Sequence, residues 1–289
     1  MPSMVVPGDT LTQVARRPVR LGAVSFVNTL PLIDGLENLA DLELHYGVPS
    51  TLLDTLLDDE VDLALCSSID YQRSRTPLVI VPCGLLGCDG PTLTVRLYCT
   101  GPIDRVTEVH CDTDSHTSVA LLQILLRELH GIAPELVAFD ARPRGPHDPP
   151  RDWPPALLLI GDKVVTDSPP SARYPHQLDL GAAWVELTGL PFVFALWLAR
   201  RDADPAVVAV AANVLDRQRR YNRERLDLII ERKARPRGWP VALAASYLKG
   251  KLAFEFTDAR RRGLELFFDK ACEHGLVDGR RPLEIVNLS

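Results

Sequence analysis

The chain has 289 residues, of which 46% are hydrophobic and 24% charged, and its formal net charge at pH 7 is -6. The length is too great for one small core and suits two domains, and the composition is that of a soluble globular protein. The acidic balance argues against nucleic acid or an anionic membrane as a partner, and no apolar run is long enough to span a bilayer.

Residues 1–18 do not combine a charged start with a long apolar core, so we expect no signal peptide there and a disordered or loosely packed tail. The six cysteines form no CxxC pair, and several lie in apolar, strand-like runs. We therefore expect reduced, mostly buried thiols and a cytoplasmic protein. The seven histidines show no HExxH or comparable spacing, so we expect no metal site.

The first strand is predicted over residues 20–27, an apolar run that ends at Asn28 and Thr29. Polar side chains at the carboxyl end of a buried strand lie where ligands bind in open α/β sheets. The same pair also fits a helix N-cap before Pro31, and both roles can hold at once.

Hydroxyl residues follow other strands in the first hundred residues. The strand predicted at 61–66 ends at Ser67 and Ser68, and the strand at 92–100 carries Thr92 and Thr94 at its start. Between them a strand at 78–83 leads into a connection at 84–91 that is rich in glycine and therefore in turns. The remaining predictions in this part are a strand at 42–46, a helix with Ser50 as its N-cap, and a short helix at 69–73.

The helix predicted at 116–130 has a wide apolar stripe and begins in a run of hydroxyls, Ser115, Thr117 and Ser118. The start of a helix has unpaired backbone N–H groups and partial positive charge, so added hydroxyls form a cradle for a carboxylate or phosphate. The alternative is an ordinary capped core helix.

The second block contains strands at 108–111, 135–139 and 156–160, and a proline-rich loop at 142–155. The last of these strands ends at Gly161 and Asp162, and Asp162 either caps the next turn or faces the cleft. Residues 177–181 and 185–189 are interpreted as connecting pieces before an apolar strand at 191–199. Helices are predicted at 206–230, 240–248 and 258–274, and the basic run at 217–225 fits a solvated helix face better than a phosphate site.

This order predicts an α/β protein whose chain crosses between two lobes near residues 98–100 and returns near 191–197. We predict a tail at 1–18, a first lobe of residues 19–98 plus 192–289, and a second lobe of residues 99–191. Two crossings make a hinge with a cleft that closes on a small ligand. The four polar clusters at strand and helix ends suggest that neutral donors line this cleft.

Six segments, taken together and in order, resemble chorismate dehydratase of the futalosine route to menaquinone. They are VSFVNTLPL (24–32), VDLALCSSIDY (61–71), GPTLTV (90–95), DTDSHTSVALLQILL (112–126), LIGDKVV (159–165) and DLGAAWVELTGLPFVFALW (179–197). The resemblance implies the two-domain type-II periplasmic-binding-protein fold, with the ligand cleft between the lobes. The implied enzyme is a carbon–oxygen lyase that converts chorismate to 3-[(1-carboxyvinyl)oxy]benzoate and water without a cofactor.

Carried over to this chain, the resemblance implies catalytic roles for Asn28 and for Thr94, where the family commonly has serine. Lys163 departs from the small residue expected there, and it either neutralises a substrate carboxylate or points to solvent. No residue is an obvious general base, which leaves the enolpyruvyl carboxylate of the substrate open as proton acceptor. The predicted substrate contacts are Thr29, Ser67, Ser68, Ser115, His116, Thr117, Ser118, Gly161 and Asp162.

Two alternative functions remain open at this stage. One is the 1,4-dihydroxy-6-naphthoate synthase of the same pathway, whose reaction is thought to use a histidine, and His116 lies in the loop singled out above. The other is a non-catalytic protein that binds a small anion on the same fold. The sequence makes no prediction of an oligomeric state.

Overall fold

The computed structural model describes residues 17–142 and 152–288, which form two lobes, each built on its own β-sheet. Most of the predicted tail and most of the proline-rich loop lie outside these residues. At the described end of the tail, Arg17 donates hydrogen bonds of 2.9 and 2.7 Å to the two carboxylate oxygens of Asp62.

Among the described residues the first lobe contains a six-stranded sheet with the order β11-β4-β10-β3-β1-β2. β1, β2 and β3 run parallel to each other, whereas β10 runs antiparallel to both of its neighbours. The strands are β1 (Val19–Val24), β2 (Leu42–Gly47), β3 (Leu63–Ser67), β4 (Leu78–Cys88), β10 (Phe192–Arg200) and β11 (Leu252–Ala253).

The second lobe contains a five-stranded sheet with the order β7-β6-β8-β5-β9 across the described residues. The three neighbouring strands β7, β6 and β8 are parallel to one another, and β5 runs antiparallel to its neighbours β8 and β9. The strands are β5 (Val95–Cys99), β6 (Glu108–Asp112), β7 (Glu135–Phe139), β8 (Ala156–Ile160) and β9 (His176–Asp179). All five residues of β8 are buried, which explains its wholly apolar sequence.

The chain passes from the first sheet to the second between Cys88 and Val95, and it returns between Thr188 and Phe192. The lobe boundaries remain a prediction. The predicted boundary between residues 98 and 99 would divide β5, so we propose from sheet membership that the first crossing lies at residues 89–94.

Helices cover the sheets, and some of them have side-chain caps. The prediction of Ser50 as an N-cap is wrong, because the helix there begins at Leu52, its N-cap residue is Thr51, and no side chain caps it. The longest helix of the second lobe has Ser115 as N-cap, whose hydroxyl accepts from the backbone N–H of Ser118, and Gly131 at its C-cap with φ of 66°. The α-helices are α1 (Leu30–Ile33), α2 (Leu52–Leu57), α3 (Asp70–Arg73), α4 (His116–His130), α5 (Lys163–Thr166), α6 (Leu180–Thr188), α7 (Pro205–Glu224), α8 (Leu226–Ile229), α9 (Val241–Gly250) and α10 (Asp258–Glu273).

Three sequence predictions about elements are wrong. β4 does not stop at residue 83 but continues through Gly84 and Gly87, because it pairs with β10. A Cβ on Gly87 would lie 2.6 Å from the carbonyl oxygen of Phe192, so glycine here permits the approach of two strands and does not mark a turn. The supposed connecting pieces at 177–189 form β9 and α6, and the single helix predicted at 206–230 is divided into α7 and α8.

Candidate functional site

A cavity lies between the two lobes, where the ends of strands from both sheets meet. The carboxyl ends of β1 and β3 approach it from the first lobe, and the carboxyl end of β8 and the start of α4 approach it from the second. About 540 Å³ of space in and around the cavity is free of protein atoms, a figure that includes open solvent at its mouth.

Most of the predicted cleft residues line this cavity. They are Asn28, Thr29, Ser67, Thr94, Ser115, Ser118 and Gly161. The remaining described residues of the lining are apolar or hydroxyl-bearing, and none of them carries a charge at neutral pH. They are Val24, Phe26, Pro49, Leu65, Leu86, Thr92, Val95, Ile160, Phe194, Ala195, Tyr247 and Leu252.

Asn28 lies in a 3-10 turn, Val27–Thr29, that follows β1 after two further residues. Its Oδ1 is buried and has no hydrogen-bond partner within residues 17–142 and 152–288. Thr29 also lines the cavity, but its hydroxyl lies 2.7 Å from the carbonyl oxygen of Val24 and 2.8 Å from that of Phe26. Thr29 therefore fixes the turn, and the Asn28 amide is the group that this turn offers to a ligand.

Thr94 lies on the segment that crosses between the lobes, and this segment is held in an unusual conformation. Leu93 has a φ of 65°, which is uncommon for a residue with a side chain. The carboxylate of Asp179 accepts hydrogen bonds from the backbone N–H groups of Thr92 and Leu93, at 2.9 and 2.7 Å. The same carboxylate caps the start of α6, where it accepts from Gly181. Asp179 thus fixes the crossing segment against the second lobe.

The hydroxyl of Thr94 lies 2.5 Å from the phenol oxygen of Tyr247, a residue of α9 that is 1% exposed. Tyr247 was not predicted as a site residue, because its spacing in the helix predicted at 240–248 is that of an ordinary core residue. Phe26 and Phe194 were not predicted either, because they lie in apolar runs that read as buried strands. None of the three has a local signal that distinguishes it from the core.

The second lobe contributes the start of α4. Ser115 Oγ accepts from the Ser118 backbone N–H at 3.1 Å and lies 2.9 Å from Ser118 Oγ. Because Ser115 donates its own proton to Ser118 in this arrangement, the Ser118 proton is not used in that contact. The hydroxyls and the unpaired N–H groups of the first turn together suit a carboxylate.

Lys163 is buried, so the alternative that it points to solvent is wrong, and it is not among the residues that line the cavity. Its Nζ is buried between two carboxylates, 2.7 Å from Asp112 Oδ2 and 2.6 Å from Asp114 Oδ2. Burial raises the pKa of Asp112, and the charge of Lys163 opposes that rise. Asp112 also accepts from the backbone N–H of Asp114, so this ion-paired group supports the turn that carries Ser115.

Four of the predicted substrate contacts lie outside the cavity lining and make contacts between the lobes. Ser68 and Thr117 pack together, with their hydroxyl oxygens 3.3 Å apart. His116 is 2.8 Å from a carboxylate oxygen of Asp70 on α3. Asp162 accepts from the backbone N–H of Val27 through both of its carboxylate oxygens, at 3.1 and 3.2 Å, and burial raises its pKa. We propose that these four residues join the lobes.

Within the described parts of the chain, no three His, Cys, Asp or Glu side chains form a group that could hold a metal ion. Across the same residues, no helix has the length and apolar character needed to cross a bilayer.

The sequence matches a protein-family model described as menaquinone biosynthesis, over residues 19–273. It is also 32% identical, over 270 residues, to a protein of Thermus thermophilus named chorismate dehydratase. That similarity covers 87% of this chain and 94% of the Thermus protein.

Solved structures with the same fold have much lower sequence identity. A protein of Archaeoglobus fulgidus superposes with a TM-score of 0.67 at 14% identity, over 90% of this chain and 98% of its own. The periplasmic aliphatic sulphonate binding protein of Escherichia coli superposes with a TM-score of 0.59 at 16% identity, over 92% and 95% of the two chains. These similarities confirm the predicted two-lobed, periplasmic-binding-protein-like fold.

Proposed function

This chain belongs to the menaquinone-biosynthesis family, and we propose from that membership that it is a chorismate dehydratase, a carbon–oxygen lyase. The proposed reaction converts chorismate to 3-[(1-carboxyvinyl)oxy]benzoate and water. Its support from sequence is the 32% identity to the Thermus thermophilus enzyme over most of both chains.

The chemistry of this reaction sets what the site must do. The proton that is lost lies on the ring carbon bearing the enolpyruvyl ether, which is conjugated through a ring double bond to the ring carboxylate. Its removal moves negative charge into that carboxylate, after which the 4-hydroxyl group leaves and the ring becomes aromatic. Because aromatisation drives the second step, the protein has mainly to hold the ring and stabilise the growing anion.

One observation carries the proposal: neutral donors from both lobes line the same cavity. Asn28 and Thr94 are in the lining together with Ser115 and Ser118 from the start of α4. Preoriented amide and hydroxyl groups in a site shielded from water stabilise a developing oxyanion without having to reorganise. We propose that the two carboxylates of chorismate contact these two groups of donors and that its ring lies on the apolar residues between them.

The proton acceptor follows from the same lining. Among the described residues of the cavity there is no carboxylate, imidazole or amine to act as a general base. The enolpyruvyl carboxylate of chorismate is attached next to the proton that must leave. We therefore propose that this carboxylate takes the proton and that the protein fixes it in the reactive geometry.

The test is to incubate the purified protein with chorismate and to follow the product chromatographically. Formation of 3-[(1-carboxyvinyl)oxy]benzoate is the expected result. Binding without conversion would favour a non-catalytic binding protein. The E. coli sulphonate-binding protein, which has the same fold, is named as such a protein. Absence of binding would overturn the proposal. Conversion of a cyclised futalosine derivative instead of chorismate would select the naphthoate synthase.

The position of His116 weighs against the naphthoate synthase. Its Nδ1 is paired with Asp70, and its side chain is not part of the cavity lining. We also propose a cytoplasmic site of action, because all six cysteines are free thiols and five of them are buried.

A further inference from the structure

Tyr247 is buried at the wall of the cavity, in a setting that leaves its phenol group few partners. Its ring stacks on Trp239, with ring centroids 5.1 Å apart and an interplanar angle of 21°. The residue is 1% exposed, and its hydroxyl is 2.5 Å from the hydroxyl of Thr94. The stacked indole holds the ring in place, so the phenol oxygen has a fixed position relative to Thr94.

Either oxygen of this pair could in principle be the donor, and the chemistry of the two groups decides between them. A phenol is a stronger acid than an aliphatic alcohol, so it is the better donor, and its lone pairs are partly delocalised into the ring, so it is the poorer acceptor. Burial raises the pKa of Tyr247 well above its usual value, which keeps the phenol protonated at every physiological pH. Tyr247 therefore donates and Thr94 accepts.

The remaining proton of the pair belongs to Thr94. Thr94 is 2% exposed and lines the cavity, and within the described residues Tyr247 is the hydrogen-bond partner of its hydroxyl. Once the Thr94 oxygen accepts from Tyr247, its own O–H can be satisfied only by a group in the cavity.

Asn28 lines the same cavity as Thr94, and its Oδ1 is buried and has no partner among the described residues. The Asn28 amide lies close enough to the phenol oxygen to lower the pKa of Tyr247, against the larger effect of burial. Asn28 and Thr94 therefore offer polar groups to the same space.

We propose that Tyr247 is a positioning residue that directs the hydroxyl proton of Thr94 at the ligand anion, through the hydrogen bond that its phenol donates to Thr94. The identity of the anion as chorismate rests on the proposed function. The orientation of the Thr94 proton rests on the contacts of Tyr247 alone.

A double-mutant cycle between Tyr247→Phe and Thr94→Val tests this role. Tyr247→Phe keeps the ring on Trp239 and removes the donor, and we expect it to lower kcat for chorismate about 10- to 100-fold with a smaller change in KM. Thr94→Val should lower kcat about 100-fold. In the Thr94→Val background, Tyr247→Phe should then have almost no further effect, because it acts through a hydroxyl that is already absent.

Two further variants separate positioning from a general loss of structure. Thr94→Ser keeps the hydroxyl, so we expect it to remain active and to remain sensitive to Tyr247→Phe. Tyr174→Phe removes a buried phenol whose hydroxyl lies 2.9 Å from the carbonyl oxygen of Trp153, away from the cavity, and should leave kcat unchanged. Equal losses from Tyr247→Phe with and without the Thr94 hydroxyl, or normal turnover by Tyr247→Phe, would overturn the inference.

The same four proteins of the cycle are also compared by calorimetric binding of 3-(carboxymethoxy)benzoate, a stable aromatic diacid. We expect each single substitution to weaken binding several-fold and the double variant to bind no more weakly than Thr94→Val. If the four proteins bound this diacid with the expected coupling between the two substitutions, but the wild-type protein left chorismate unchanged, the proposed function would fail and the role of Tyr247 would stand. Additive effects of the two substitutions on binding, or no binding by the wild-type protein, would refute that role.

Discussion

The ring nitrogen Nδ1 of His116 lies 2.8 Å from Oδ1 of Asp70, which joins the first turn of α4 in the second lobe to α3 in the first. Ser68, which lies between β3 and α3, makes a second contact with α4 through Thr117. The two lobes are therefore held together beside the cavity by an ion pair that depends on protonation.

This ion pair predicts a pH dependence of stability. The hydrogen bond with Asp70 raises the pKa of His116, while burial and Arg73 oppose the rise and Asp54 adds to it. A histidine whose pKa is higher in the folded state contributes stability that is fully present below its unfolded pKa of about 6.5 and is lost as pH rises through the folded value. The stability difference between the wild-type protein and His116→Gln should therefore be largest at about pH 5.5 and shrink above pH 7.

Urea unfolding at a series of pH values measures this difference. Asp70→Asn removes the carboxylate and should abolish the same pH-dependent part of the stability. A difference between the wild-type protein and His116→Gln that stays constant across the series would show that the ion pair does not hold the lobes.

Lys163 predicts a large effect on stability for a residue that does not contact the ligand. Replacement by methionine leaves Asp112 and Asp114 buried without their cation, and breaking a buried ion pair in this way costs about 3–5 kcal/mol. Lys249→Met is the matched control, because that lysine pairs with Asp227 at the surface, where a pair contributes about 0–1 kcal/mol. Chemical denaturation of the two variants gives the comparison, and losses of similar size would contradict a structural role for the buried group.

Asp179 predicts an effect on turnover in addition to its effect on stability. Asp179→Ala and Asp204→Ala each remove the N-cap of a helix, so both should destabilise the protein by about 1 kcal/mol or somewhat more. Only Asp179 also holds the backbone N–H groups of Thr92 and Leu93. We expect Asp179→Ala to lower kcat about 10- to 100-fold through displacement of Thr94, and Asp204→Ala to leave it unchanged. Equal kcat values in steady-state assays of these two variants would remove this role.

Much of the fold could be predicted because its central elements have strong local signals. The strands at 135–139 and 156–160 and the helix at 116–130 have the predicted bounds. Predictions were wrong where glycine serves close packing, as in β4 at Gly87. They were also wrong where an element is short, as in α6, although Asp179 and Gly189 carry the cap signals that would have located it.

The candidate site divides in the same way. Polar residues at the ends of elements, such as Asn28 and Ser118, were found because the ends of strands and helices meet at one edge of a sheet. Tyr247 was not found, because it reaches the cavity from a C-terminal helix whose place in the fold is set by long-range packing. The partners of Lys163 were missed for a related reason: Asp112 and Asp114 lie about fifty residues earlier in the chain, and only the alignment of β6 beside β8 brings them together.

If neutral donors from both lobes stabilise one ligand anion, loss of the Asn28 amide should slow the turnover of chorismate, and Asn28→Ala makes this change. Removal of one donor of this kind costs about 2–4 kcal/mol in the activation barrier, so kcat/KM should fall about 30- to 1,000-fold. Asn213→Ala, an exposed asparagine on α7, should retain wild-type activity. Near-normal turnover by Asn28→Ala would show that the Asn28 amide does not stabilise this anion.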